Sequence, residues 1–324
     1  MKKSTPRHLE IVIPVFNEDE TIIEFLRRIT QTITGLQPSN WKISLILVND
    51  GSSDSTAEKL EKYVEQGNNF DVTILTLSRN FGHQQAVWAG IEHTSKESCV
   101  MVMDADLQDP PEMIISFLKG LDDFDVVVAQ RISREDTFAK KFSASIFYGI
   151  LGKLSGGAVR ANVGDFWALS ERAKTNLLKY GEELKFLRGL VSDLGYRVKI
   201  IEYRRDARYA GETHYSFFKM VQLAIAGVTG FTIKPLVYTV YIAISISSLL
   251  FPAALFLAWS RLVGQSVISP GLTFVGVVVI MSIGLQFVVL SVIALYVARI
   301  AIEVKKRPVY ILENVSHKSK GNTR

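Results

Sequence analysis

Val100-Met101-Val102-Met103-Asp104-Ala105-Asp106-Leu107-Gln108 carries an unbroken apolar run straight into a pair of carboxylates. Apolar residues without alternation describe a strand covered on both faces, not one with a wet side. Working outward, Ile11-Val12-Ile13-Pro14-Val15 and residues 43–48 and 72–77 read as strands of the same kind. Residues 21–33 place Ile22, Ile23, Leu26 and Ile29 at helical spacing, and a Gly/Ser/Asp turn leads into a second helix over 55–64. Strand–helix–strand order with such strands predicts an α/β domain, a parallel sheet with helices on both faces. Sheets of that type bind ligands outside the carboxyl ends of their strands. Three polar clusters fall at those ends: Asn17-Glu18, Asn49-Asp50-Gly51 and Asp104-Ala105-Asp106.

The 324 residues suffice for about two domains. Hydrophobic residues make up 48% and mean hydropathy is +0.20, but the average hides a split. The chain is ordinarily charged up to Phe231 and strongly apolar beyond Lys234. A net charge of +5 suits either nucleic acid or an anionic membrane surface. Helix-turn-helix, zinc-finger and RNA-binding signatures are missing, so the membrane is the expected partner and nucleic acid is not. The lone Cys99 reads as a buried core residue. The first ten residues lack the apolar core of a secretory signal, so the catalytic part is expected to stay in the cytoplasm.

Residues 235–259 and 271–298 carry no charge before Arg299, and each exceeds the roughly 20 residues that cross a bilayer. The short link between them predicts a transmembrane helical hairpin. Lys219 and Lys234 precede it, Arg299, Lys305, Lys306 and Arg307 follow it, and Arg261 is the link's only cation. The positive-inside rule then puts both termini in the cytoplasm. Residues 142–154 and 216–231 have the basic, amphipathic character of interfacial helices, though packing against the protein's own body fits them equally. The expected organisation is a catalytic domain over 1–232, two transmembrane helices within 233–300, and a tail over 301–324, polar and disordered after Leu312.

Asp104 and Asp106 project to one side, and carboxylate oxygens suit Mg²⁺ or Mn²⁺, with Gln108 able to add a third oxygen. Such an ion would neutralise a diphosphate leaving group. Acidic pairs also begin ordinary solvated loops. Asp50-Gly51-Ser52-Ser53-Asp54 offers carboxylates to a base or ribose hydroxyl, and equally reads as a capped strand-to-helix turn. His83 and His93 lack metal-ligand spacing and are read as non-ligands.

Taken in order, Ile13-Pro14-Val15-Phe16-Asn17-Glu18, Val48-Asn49-Asp50-Gly51-Ser52-Ser53-Asp54 and Asp104-Ala105-Asp106-Leu107-Gln108-Asp109-Pro110-Pro111-Glu112 resemble family 2 glycosyltransferases of the GT-A fold. Leu77-Ser78-Arg79-Asn80-Phe81-Gly82-His83-Gln84 narrows the resemblance to the polyprenyl-phosphate branch, which includes dolichol-phosphate mannose synthases and bactoprenol glucosyltransferases. The resemblance covers residues 11–307. It implies a Rossmann-like nucleotide-sugar domain followed by the two-helix hairpin, in the inner membrane. Pro14, Phe16, Glu18 and Asp50 would frame the nucleoside, with Asp104 against the donor, and Asp104, Asp106 and Gln108 would hold Mg²⁺ or Mn²⁺. Arg131, Lys141 and Ser145 would bind the acceptor phosphate, and Arg208 the donor diphosphate. Asp165 matches the position proposed for a catalytic base, and Asp106 is grouped with it as catalytic. A turn cap or an arginine partner fits Asp165 equally. Two departures stand out: Lys141 replaces the arginine usual in the mannose synthases, and His214 the lysine usual in Gly-x-Ser/Thr-Lys-Tyr.

The implied reaction moves one sugar, UDP-glucose being the leading donor, to undecaprenyl or another polyisoprenyl phosphate. GDP-mannose, UDP-galactose and aminoarabinose donors use similar scaffolds. A phosphate monoester with a second pKa of about 6 is already ionised at neutral pH, so it needs positioning more than a base. Direct attack on the anomeric carbon inverts it. A processive polysaccharide synthase would show Gln-x-x-Arg-Trp, and none of Trp41, Trp88, Trp167 and Trp259 follows an arginine. A non-enzymatic membrane-anchored nucleotide sensor is the remaining alternative. The family is also compatible with a homo-oligomer.

Overall fold

The computed structural model describes residues 7–36, 40–131, 163–183, 185–203, 234–263 and 271–319. Strands β1 (Arg7–Val15), β2 (Trp41–Asn49), β3 (Asp71–Leu77) and β4 (Cys99–Val102) pair in parallel, with β1 between β2 and β4. Helices α1 (Ile22–Gly35), α2 (Thr56–Glu65) and α3 (His83–Glu92) connect them. The strands are apolar on both sides because both faces are covered. Ile11, Ile13, Leu45, Leu47 and Met101 enter one core with Phe25 and Ile29 of α1 and Leu60 of α2. The alternate residues Val12, Ile46, Val48, Val100 and Val102 enter the other, against Ala86–Ile91 of α3. Each such side chain withdrawn from water stabilises the fold by about 1.5–3 kcal/mol. α3 lies directly on the sheet because Gly90 has no side chain, a Cβ there falling 2.3 Å from Val12 Cγ1.

The sheet departs from the all-parallel expectation beyond β4. A 3₁₀ turn (Pro111–Met113) and α4 (Ile114–Asp123) lead to β5 (Val126–Arg131), and β6 (Val163–Leu169) then runs antiparallel between β4 and β5. α5 (Glu171–Leu177), capped by Ser170 Oγ accepting from the Ala173 amide, and α6 (Leu187–Asp193) precede β7 (Val198–Tyr203), which pairs parallel to β5. The full order is β7-β5-β6-β4-β1-β2-β3-β8 in one eight-stranded mixed sheet.

β8 (Leu312–Lys318) is the second departure. It pairs antiparallel with the β3 edge from Val72↔Lys318 to Leu77↔Leu312, so the expected disordered tail is instead an edge strand. Its sequence is polar because an edge strand half-open to water needs few apolar residues, and its pairing shields the β3 backbone.

Helices α7 (Lys234–Leu262) and α8 (Gly271–Lys305) lie where the two spans were expected, and they contact one another. α8 continues past residue 298. Among the described residues, Ser282–Lys305 is long and apolar enough to cross a membrane, with mean hydropathy 2.2 and no residue of its most apolar stretch fully buried. The expected interfacial helices, residues 142–154 and 216–231, lie outside the described residues.

Candidate active site

The carboxyl ends of β1, β2 and β4 open into a cleft of about 260 Å³, and the sequence-predicted residues Pro14, Phe16, Glu18, Asp50, Asp104 and Asp106 all line it. Asn80, His83 and Ala86 complete its walls. At the β1 end, Asn17 takes φ of +52°, a left-handed conformation that asparagine tolerates. Its Oδ1 accepts from the Ser53 amide at 2.9 Å and its own amide donates to Ser52 Oγ at 3.1 Å. The Glu18 amide donates to Thr56 Oγ1, and its carboxylate accepts from Thr21 Oγ1 at 2.5 Å. These bonds tie the first loop to the second. Phe16 is left 43% exposed at the mouth, a ring face open to a planar ligand.

Asp50 is buried, and its carboxylate accepts from the amides of Phe81 at 2.7 Å and Gly82 at 2.9 Å. Burial raises its pKa, and those two amides oppose the rise. Gly51, at φ +66°, is the point of closest approach: a Cβ there would stand 2.4 Å from the carbonyl carbon of Arg79. The Asp50-Gly51 turn thus fixes the loop after β3, the run that narrowed the family resemblance.

Asp104 lies deep in the cleft, its side chain a quarter exposed. Burial pushes its pKa up to about 7; His83 opposes the rise, and Asp109, Asp165 and Asp106 add to it. Leu107, at φ +61°, turns the loop so that the Gln108 amide donates back to Asp106 Oδ1 at 3.1 Å. Asp104 Oδ1 and Gln108 Oε1 are buried without a hydrogen-bond partner among the described residues. Orphaned oxygens beside a carboxylate pushed toward protonation fit a divalent cation, which would restore the charge and take up the lone pairs. Among the described residues, no three His, Cys, Asp or Glu side chains group closely enough to hold a metal ion by themselves.

Asp165 is almost wholly buried, and its carboxylate is surrounded by donors. Arg188 grips it through Nε–Oδ1 at 2.9 Å and Nη2–Oδ2 at 2.8 Å, while Gln84 Nε2 donates to Oδ2 at 3.1 Å. His83 Nε2 stands 3.3 Å from Asp165 Oδ2 and 3.6 Å from Asp104 Oδ1. Burial alone would raise the Asp165 pKa, but bonds from His83 and Arg188 hold it well below the usual carboxylate range. Burial likewise works against a protonated His83, and the two aspartates more than offset it, raising that pKa.

Arg131 ends β5, with Nε donating to Tyr203 Oη at 3.1 Å, and Tyr203 Oη donating to Asp109 Oδ1 at 2.5 Å. Burial works to lower the Arg131 pKa, and Tyr203, Asp109 and Asp104 raise it on balance. Lys141, Ser145 and Arg208, with His214, lie outside the described residues. The sequence reading took His83 only as a non-ligand and quoted Asp109 only within its motif, and it did not single out Arg188 or Tyr203; the structure gathers all four around the candidate site. His83 could have been found from its place directly after Gly82 at a strand's carboxyl end. Arg188 and Tyr203 carry no local signal.

Residues 10–178 match the family described as glycosyl transferase family 2. The chain is 35% identical over 311 residues to the uncharacterized glycosyltransferase YkcC of Bacillus subtilis (strain 168), covering 95% of this chain and 94% of that one. It is 31% identical over 311 residues to the prophage bactoprenol glucosyl transferase homolog of Escherichia coli (strain K12), covering 95% and 99%. Among solved structures, glucosyl-3-phosphoglycerate synthase from Mycobacterium tuberculosis, in complex with Mn²⁺, UDP-glucose and phosphoglyceric acid, matches with a TM-score of 0.49 at 17% identity, covering 69% of this chain and 79% of that one. The chain belongs to glycosyl transferase family 2, and bactoprenol glucosyl transferases are among the relatives it matches along nearly its whole length.

Proposed function

We propose that the protein transfers a single sugar, glucose from UDP-glucose in the first instance, to undecaprenyl or a similar polyisoprenyl phosphate at the cytoplasmic membrane face, with inversion. The observation that carries this reading is the cleft itself. Residues from three separate strand ends converge on one space, with an exposed aromatic at the mouth and paired aspartates at the floor. The relatives named as bactoprenol glucosyl transferases support the acceptor class, and α7 with α8 supports residence in the bilayer.

Phe16 offers a stacking face to the base, and the loops fixed by Asp50 and Asn17 hold the nucleoside side of the cleft. Asp104, Asp106 and Gln108 would hold Mg²⁺ or Mn²⁺, whose positive charge stabilises the departing nucleoside diphosphate. The acceptor is already ionised at neutral pH and needs no base. Arg131, with Lys141 and Ser145, would neutralise and aim its phosphate, and Arg208 would bind the donor diphosphate. Asp165 then serves as an anchor: its oxygens are occupied by Arg188, Gln84 and His83, and a carboxylate held so acidic is a poor proton acceptor.

The test is transfer of label from a panel of nucleotide-sugars into undecaprenyl phosphate, with Mg²⁺, Mn²⁺ or EDTA present. Incorporation from one donor, lost with EDTA and silenced by Asp106→Ala, is expected. A folded chain that binds nucleotide but transfers from no donor would refute the reading in favour of a sensor.

A further inference from the structure

Arg131 is held from more sides than an ordinary strand-end arginine. Its Nε donates to the Tyr203 hydroxyl at 3.1 Å, and that hydroxyl donates onward to Asp109 Oδ1 at 2.5 Å. Asp109 is fully buried and Tyr203 nearly so. The guanidinium's Nη2 stays 4.0 Å from Asp109 Oδ1, so the nearest carboxylate is reached through a neutral hydroxyl and not by a bidentate grip. Below the fork lies Gly164, where a Cβ would fall 2.8 Å from Arg131 Nη2 and 3.3 Å from its Cζ. Gly164 has an ordinary negative φ, so the glycine answers to space and not to backbone conformation.

The contrast with Arg188 gives the arrangement its meaning. Arg188 spends its fork on Asp165. Among the described residues Arg131 commits only Nε to a hydrogen bond, and both terminal nitrogens keep the planar edge that suits a phosphate. Holding Nε while sparing that edge is what a phosphate ligand needs, because a fixed guanidinium loses less freedom on binding. Tyr203 is itself braced edge-on against Phe166, ring centroids 5.5 Å apart. Asp109 sits three residues beyond Asp106, on the same loop as the proposed metal ligands.

We propose that Tyr203, Asp109 and Gly164 are positioning residues that seat the Arg131 guanidinium for the phosphate of the acceptor lipid. The inference rests on the reading of Arg131 as an acceptor-phosphate ligand. The seat links the metal-binding loop to the acceptor side through one buried hydroxyl.

The experiment measures binding of undecaprenyl phosphate and of undecaprenol to the full-length chain in detergent micelles, by thermophoresis. The ratio of the two dissociation constants isolates the phosphate's contribution. Arg131→Ala should erase the preference for the phosphate. Tyr203→Phe keeps the ring and removes only the hydroxyl, and should lower the preference about five- to tenfold with undecaprenol binding unchanged, while the melting temperature falls by a few degrees because the buried Asp109 carboxylate loses its donor. Gly164→Ala, whose methyl meets the movable end of Arg131 and not backbone, should do the same and does not depend on Tyr203→Phe folding. If Arg131→Ala erases the preference while both Tyr203→Phe and Gly164→Ala retain it, the seat is overturned and the ligand reading stands. If the wild-type chain shows no preference, or Arg131→Ala leaves it intact, the ligand reading falls and the seat with it.

Discussion

Replacing Asp165 by asparagine separates an anchor from a base. The substitution keeps the shape but turns one acceptor oxygen into a donor, facing Arg188, Gln84 and His83, which donate to the two carboxylate oxygens. At least one charge-assisted bond is lost, and each is worth about 1.5–3 kcal/mol. Arg188 is 40% exposed and can swing into water, so the lower end applies, about 2 kcal/mol and a melting temperature lower by about 4–8 °C. Arg188→Gln removes the same bonds from the other side. If the pair acts as one unit, each single variant should lower turnover by a similar factor, and the double variant should be no worse than either. A general base would behave differently: its loss costs about 10²–10⁴-fold in rate, whatever stands at position 188. The assay is initial-rate transfer at saturating acceptor for the wild type, both singles and the double. A rate more than about a hundredfold down in Asp165→Asn, beside near-normal turnover in Arg188→Gln, would refute the anchor. The pH dependence supplies a second reading. Because the folded pKa of Asp165 is depressed, its stabilisation is complete above the unfolded value of about 3.9 and is lost only as pH falls through the lower folded value. Melting temperature should therefore show no slope from Asp165 between about pH 5 and 8.

Three other perturbations test the frame around the cleft. Gly51→Ala combines a positive φ with a Cβ 2.4 Å from the Arg79 backbone, so it should cost about 3 kcal/mol and weaken UDP binding at least about tenfold by calorimetry. Lys174 is 1% exposed and donates to Ser98 Oγ at 2.8 Å and to the Ser95 carbonyl, while Glu10 accepts from the Ser95 amide and Ser98 Oγ. Lys174→Met should lower stability by about 3–5 kcal/mol in denaturant unfolding, and Glu10→Gln added to it should recover part of that loss. Ending the chain at Arg307 removes β8 with the half-buried Val309, Tyr310 and Leu312, worth together about 3–5 kcal/mol; melting and sedimentation should show a less stable, self-associating protein.

What the sequence discloses and what it conceals divide along contact distance. β1 to β4 are legible because each is a short apolar run bounded by turn residues, and the parallel rule then places their polar ends together. The convergence of Phe16, Asp50 and Asp104 follows from that rule alone. The antiparallel insertion of β6 has no local mark: Val163-Gly164-Asp165-Phe166-Trp167-Ala168-Leu169 is as apolar as a parallel strand, being covered on both faces. β8 is hidden for the opposite reason. Leu312 and Val315 are its only large apolar residues, and its partner strand lies more than two hundred residues away in sequence. Arg188 belongs to the site through Asp165, and Tyr203 through Arg131 and Asp109, and pairings that cross the sheet leave no spacing to read.

The route of the chain after α8 bears on how a lipid substrate could reach the cleft. α8 ends at Lys305, and Lys306, at φ +45°, breaks the helix. Two residues before that end, the Glu303 carboxylate accepts from the Glu183 amide at 3.0 Å, fastening the helix to the segment that precedes α6 and Arg188. Beyond it, Val309 and Tyr310 pack on the core face shared with α3, and the Ile311 carbonyl accepts from the Ser78 amide at 3.0 Å. Ser78 opens the loop whose Phe81 and Gly82 amides hold Asp50 and which leads into α3, whose first residue, His83, lies between Asp104 and Asp165. The apolar helix is thus stitched to the site at Glu183 on one side and Ser78 on the other, through ordered backbone. A helix joined by a flexible tether would let the cleft tumble relative to the bilayer, and a phosphate fixed at membrane depth would meet it only by chance. On the proposed placement of α8 in the bilayer, this attachment would keep one edge of the cleft at a constant height and supply in advance part of the orientation that transfer to a membrane-bound phosphate requires.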